Sequence, residues 1–168
     1  MKATLYMTMT ANGYIARENN ETPWSDEVWK GFFGFTKRCG GIILGRRTYD
    51  LMKEAGELDD LAGVFTIVVS REKGESSDPN VAFVLSPKEA IEAAERKGLN
   101  EVVIGGGSTL NAGFLEEHLI DEIYLDVEPL IFGKGIELFK DTDTETKLEL
   151  LETASVSRNV IRLHYRVV

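Results

Sequence analysis

Short apolar runs that alternate with helical segments predict an α/β fold. Its expected architecture is three layers, with helices on both faces of one mixed, mostly parallel sheet. Three observations carry this. The runs Ile42-Ile43-Leu44, Val64 to Val69 and Val102-Val103-Ile104 are short, apolar and rich in β-branched residues, and the last is β-branched throughout, as strands covered on both faces require. Each leads into glycine or Ser-Arg rather than into a second strand at once. Two alternating segments, Lys147 to Ser155 and Val160 to Val168, close the chain around Ser157-Arg158-Asn159, which reads as an antiparallel hairpin. No linker or repeat interrupts the order, so residues 1–168 are expected to form a single domain.

Taken in order, Lys2 to Met9 alternates apolar and polar residues and predicts a strand. Asn12-Gly13 marks a turn, and the polar stretch Arg17 to Thr22 a loop. Ser25 or Asp26 starts a helix with Val28, Trp29, Phe32, Phe33 and Phe35 on its apolar positions. Gly31 and Gly34 interrupt it, and each weakens a helix by up to ~1 kcal/mol against Ala. Gly40 to Gly45 predicts a strand, and Arg46 to about Lys53 a helix. Val81 to Leu85 predicts another strand. Ser86-Pro87 then opens a helix over Lys88 to Lys97, with Ala90, Ile91, Ala93 and Ala94 inward and Gly98 as its stop. Val102 to Ile104 enters Gly105-Gly106-Gly107 and a helix that Ser108 or Thr109 would cap, running to about His118. Asp121 to Glu128 predicts a strand and Pro129 to Gly135 a loop.

Composition excludes several roles. The net charge of −9 and the absence of a basic run argue against nucleic-acid and anionic-membrane partners. The single cysteine, Cys39, forms no internal disulfide and is expected to pack inertly. His118 and His164 show no metal-ligand spacing, so no metal is expected. No apolar run approaches the ~20 residues that span a bilayer, and no charged-then-apolar leader stands at the N-terminus. A cytoplasmic setting is the expectation. The apolar Leu130-Ile131-Phe132 loop suggests a homodimer.

Three predicted strands end in Gly45-Arg46-Arg47-Thr48, Ser70-Arg71 and Gly105-Gly106-Gly107-Ser108-Thr109. Ligands of open parallel sheets bind beyond the carboxyl ends of strands. Two arginines at a helix start oppose the helix dipole, which suggests that they meet an anion. A glycine cradle with up to three arginines suits a nucleotide with several phosphates, such as NADPH.

As a set, Asn12-Gly13-Tyr14-Ile15-Ala16, Pro23-Trp24, Leu44 to Tyr49, Val69-Ser70-Arg71, Ile104 to Gly107 and Pro129 to Gly135 resemble the dihydrofolate-reductase-like superfamily. They fall in the family order over nearly the whole chain. The last piece resembles the stand-alone relatives of the riboflavin-biosynthesis reductase domain. The resemblance implies a dihydrofolate-reductase-like fold and NADPH as cofactor. It implies that Gly45, Arg46, Arg47 and Thr48 hold phosphates, and that Ser70 and Arg71 lie beside the 2′-phosphate. It places Leu85 and Ser86 by the adenine, and Gly105, Gly106, Gly107, Ser108, Thr109 and Leu110 on the pyrophosphate and nicotinamide side. Ala16 would touch the carboxamide. Tyr6, Asn12, Trp24, Trp29, Phe33 and Asp126 would surround a small-molecule substrate, with Asp126 as the catalytic carboxylate.

The family's folate enzymes carry an acid on the helix after Pro-Trp, and here that position falls on Trp29. The resemblance therefore implies an NADPH-dependent reductase of a small pterin- or pyrimidine-like heterocycle. Dihydrofolate reductase itself and a nucleotide-binding module without turnover are the alternatives.

Overall fold

A computed structural model describes every residue except Lys73. Among the described residues there are ten strands and four helices, of which eight strands and all four helices follow the expected order. They are β1 (Lys2–Thr10), β2 (Tyr14–Ala16), α1 (Asp26–Cys39), β3 (Gly41–Gly45), α2 (Arg46–Glu54), β4 (Phe65–Val69) and β5 (Val81–Val84). After these come α3 (Pro87–Arg96), β6 (Glu101–Ile104), α4 (Ser108–Glu116), β7 (Glu122–Glu128), β8 (Ile136–Glu137), β9 (Leu148–Ser155) and β10 (Ile161–Val167). A 3-10 turn, Glu57–Leu61, links α2 to β4.

The main sheet has eight strands in the order β5-β4-β3-β6-β1-β7-β10-β9. Six are parallel, and β10 and β9 run antiparallel to β7 and to each other. The expected three layers are present because successive strand residues face opposite sides. Ile43, Ile67, Val102 and Ile104 pack on Ala90, Ala94, Leu110 and Phe114 of α3 and α4. Ile42, Leu44, Val68 and Val103 pack on Phe32, Tyr49 and Met52 of α1 and α2.

Two short strands differ from the sequence reading. Tyr14–Ala16 and Ile136–Glu137, just after the expected Asn12-Gly13 turn and the expected Pro129 to Gly135 loop, pair in a separate two-stranded ribbon to which the sequence reading assigned no strand. Three and two residues are too few for a period to register. Gly135 permits this crossing: a Cβ there would stand 2.6 Å from the Ala16 carbonyl oxygen.

Gly31 has a similar reason. Its missing side chain leaves room for the Tyr6 hydroxyl and the Arg162 guanidinium, which a Cβ would approach to 3.3 and 2.9 Å. Gly34 has no such neighbour; only Arg38 Nη1 comes within 3.9 Å. The helix starts where expected, with Ser25 at the cap position, but the capping bond differs. The Ser25 side chain does not cap α1; its N–H and hydroxyl both donate to Glu128 Oε1, at 2.7 and 2.6 Å. Glu128 is thereby buried.

Candidate active site

The carboxyl ends of β5, β4, β3 and β6 lie side by side. Gly45 is in register with Val69, and Val69 with Val84. The Gly45 N–H donates to the Gly106 carbonyl at 2.8 Å, which ties the β3 end to the glycine turn after β6. A cleft of about 1420 Å³ opens over these ends and continues between α1, α2 and the β2–β8 ribbon.

One half of the cleft is built from strand ends and helix starts. Gly45, Arg46, Arg47 and Thr48 line it from β3 and α2. Ser70, Arg71 and Leu85 line it from β4 and β5. Gly105, Gly107, Ser108, Thr109 and Leu110 line it from β6 and α4, and Ala16 from the ribbon. Arg47 and Arg71 are exposed. Arg46 is exposed too, but its Nε donates to both Asp50 oxygens at 2.9 and 3.1 Å. The first turn of α2 holds no acid, so the positive helix end adds to these cations rather than cancelling them.

Two expected cofactor residues are not in the wall. Ser86 spends its hydroxyl on capping α3, accepting from the Glu89 N–H at 3.2 Å, and Pro87 lines the cleft in its place. Gly106 points its carbonyl at Gly45 instead.

Ser108 bears on whether a nucleotide fits. It or Thr109 was expected to cap α4, yet the cap position is Gly107 and no side-chain bond forms there. Ser108 lines the cleft, and its buried hydroxyl has no partner among the described residues; nor has the buried Oδ1 of Asn111, one turn on in α4. Buried polar atoms normally have partners. A buried hydroxyl without a partner among the described residues, on a residue that opens a helix and lines a cleft rimmed by arginines, fits an anionic group with oxygen acceptors.

The other half is aromatic. Trp24, Trp29 and Phe32 line it, with Tyr6 at its floor. Trp29 stacks on Phe33 at 5.6 Å and Trp24 on Phe132 at 6.1 Å. Phe33 therefore supports the wall rather than forming it. Phe32, Met7, Thr8, Met52 and Glu57 are lining residues that the sequence reading missed. Phe32 was findable, since it lies one turn from Trp29 on the same helix face. Asn12 does not reach the cleft either. Its amide donates to the Phe132 carbonyl at 2.7 Å, and its Oδ1 accepts from the Phe132 N–H at 3.2 Å, which clamps the 129–135 loop. In that loop Phe132 is buried and Ile131 exposed, so the apolar triplet does not present one surface.

The placement expected for Asp126 is corrected. Its side chain is fully buried and absent from the cleft wall. Arg162 Nε donates to Oδ1 and Nη2 to Oδ2, each at 2.7 Å. The Tyr6 hydroxyl donates to Oδ2 at 2.9 Å and accepts from Arg162 Nη2. β7 is flanked by β1 and β10, and Asp126 faces α1, so its carboxylate ties three strands beneath that helix. Burial, reinforced by the Asp126 charge, pushes the Tyr6 hydroxyl far above its ordinary value, so it stays a donor. Burial and the nearby Glu101 push the Cys39 thiol up to about 12, in keeping with an inert cysteine.

The model of the RibD C-terminal domain matches residues 1–161. The chain belongs to this family. With it comes membership of the dihydrofolate-reductase-like superfamily. The chain is similar to the Uncharacterized protein YwjB of Bacillus subtilis (strain 168), at 31% identity over 98% of this chain and 97% of that one. Its structure resembles a putative riboflavin biosynthesis protein from Shewanella sp. PV-4, with a TM-score of 0.83 and 25% identity over 100% and 99% of the two chains. It also shares its fold with a diaminohydroxyphosphoribosylaminopyrimidine deaminase/5-amino-6-(5-phosphoribosylamino)uracil reductase from Thermotoga maritima. There the TM-score is 0.77 and the identity 17%, over 99% of this chain and 56% of that one.

Proposed function

We propose that the protein is an NADPH-dependent reductase of a small pyrimidine-like heterocycle. The supporting observation is the two-part cleft: strand ends with the exposed Arg47 and Arg71 and a buried hydroxyl without a partner among the described residues on one side, and an aromatic slot on the other. Membership of the RibD C-terminal domain family agrees with an oxidoreductase. NADPH, when bound, supplies the hydride. Arg47 and Arg71 would pair with its phosphates, and Ser108 would donate to an oxygen acceptor. Trp24, Trp29 and Phe32 would hold a flat ring and exclude water from around it.

Asp126 does not deliver a proton in this reading, because both its oxygens are occupied by Arg162 and Tyr6. It acts as a positioning residue for β1, β7 and β10, and protons come from solvent at the cleft mouth. The test is NADPH oxidation over a panel of aminopyrimidines and pterins, followed at the nicotinamide absorbance. A saturable, substrate-dependent rate with one panel member is expected. NADPH binding without turnover on any member would reduce the protein to a nucleotide-binding module.

A further inference from the structure

The two halves of the cleft differ in charge. Among the described residues, its basic lining groups are Arg46, Arg47, Arg71 and Lys140. All four belong to the strand-end half: three follow β3 and β4, and the Lys140 N–H donates to the Ser108 carbonyl at the start of α4. The strand-end half also carries Asp50, Glu72 and Asp141, one fewer than its four cations, whereas the aromatic half and the ribbon beside it are bordered by Glu18, just beyond β2, by Glu57 and by Glu137, with no lining cation among the described residues. Glu57 opens the 3-10 turn whose Leu61 packs with Met52 and Phe32 beneath the aromatic slot. Asp50 already holds the Nε of Arg46. Arg17, next to Glu18, is outside the wall; its guanidinium lies over the Phe132 ring at 5.3 Å, and its Nε is 3.8 Å from Glu21.

A phosphate dianion entering this half would lose water without gaining a cation, and would meet carboxylates of its own sign. Burial and the neighbouring Asp60 raise the Glu57 carboxyl above its ordinary value. The Thermotoga maritima relative is named for a phosphoribosylamino-uracil, so the same fold serves a phosphorylated substrate there.

Resting on the function proposed above, we infer that the aromatic half takes a flat heterocycle that carries no phosphate. The chain's two tryptophans, Trp24 and Trp29, both line the cleft, so their fluorescence reports its occupancy. The experiment titrates NADPH-saturated protein with a diaminouracil bearing a sugar side chain, in phosphate-free and 5-phosphorylated forms. The phosphate-free form is expected to bind at least tenfold more tightly. Glu57→Lys is expected to narrow that gap at least threefold by turning repulsion into attraction. Equal or tighter binding of the phosphorylated form overturns the inference, and so does quenching by neither form. NADPH affinity is measured first by calorimetry. A failure there removes the underlying cofactor reading instead, so the two failures are told apart.

Discussion

Removing the Arg162 guanidinium should strand a buried charge. In Arg162→Met, the Asp126 carboxylate loses two charge-assisted bonds of 2.7 Å and keeps only the Tyr6 hydroxyl. Breaking a buried ion pair from one side costs about 3–5 kcal/mol. Arg162 keeps about a quarter of its side chain in solvent, at 23% exposure, while Asp126 keeps none. Water can therefore enter the space vacated, and the lower end, about 3 kcal/mol, is the expected loss. In a domain of this size 1 kcal/mol moves Tm by about 2–4 °C, which gives a fall of about 6–12 °C. Asp126→Leu combined with Arg162→Met should recover most of that, because no unpaired charge remains. Urea unfolding of wild type, both single variants and the double variant closes a cycle with a coupling energy of at least about 1.5 kcal/mol. Asp126→Asn, assayed below its melting range with a working substrate, should keep the shape of the wild-type pH–rate profile. An Arg162→Met variant within about 0.5 kcal/mol of wild type, with coupling near zero, would refute the reasoning.

Other expectations follow from single contacts. Gly31→Ala should destabilise by about 1–3 kcal/mol, because its Cβ would press on Arg162 and Tyr6, whereas Gly34→Ala should stabilise by up to about 1 kcal/mol; thermal melts of the pair decide. Burial works against the Glu122 charge, but bonds from His164 (2.9 Å) and Lys2 (3.2 Å) outweigh it and hold the carboxyl below its ordinary 4.5. The stability from this depressed carboxyl is present above pH 4.5 and lost as pH falls through its lower folded value. Glu122→Gln should therefore reduce stability at neutral pH and flatten the acid limb of a Tm–pH curve. Dihydrofolate turnover should fall at least about 10²-fold below that of ordinary folate reductases, since Trp29 stands where an acid would assist and fills part of the slot; rates comparable to such enzymes would contradict this.

The layers and the strand-end half of the cleft were legible in the sequence for one reason. Buried parallel strands need unbroken apolar runs, and the Gly-Arg-Arg-Thr, Ser-Arg and triple-glycine segments stand at their ends. What escaped was anything set by a partner far along the chain. Arg162 lies 36 residues from Asp126 and 156 from Tyr6, and nothing local to Asp126 announces its burial. The Gly31 interruption of α1 has no local logic either; it becomes intelligible only once that buried triad lies beneath it. Ser86 and Ser108 show the limit of cap signals. Both precede or open helices, but only Ser86 caps, and Ser108 is left unpaired at the cleft.

On the proposed function, the strand-end half of the cleft binds a nucleotide through arginines that read its extra phosphate. Calorimetric titration of NADPH and NADH into wild type and Arg71→Ala tests it most directly. Charged hydrogen bonds contribute about 1.5–3 kcal/mol, so wild type should prefer NADPH by at least about tenfold. Arg71→Ala should lose most of that preference while its NADH affinity changes little. Equal affinities of wild type for the two cofactors, or no heat from either, would contradict the account.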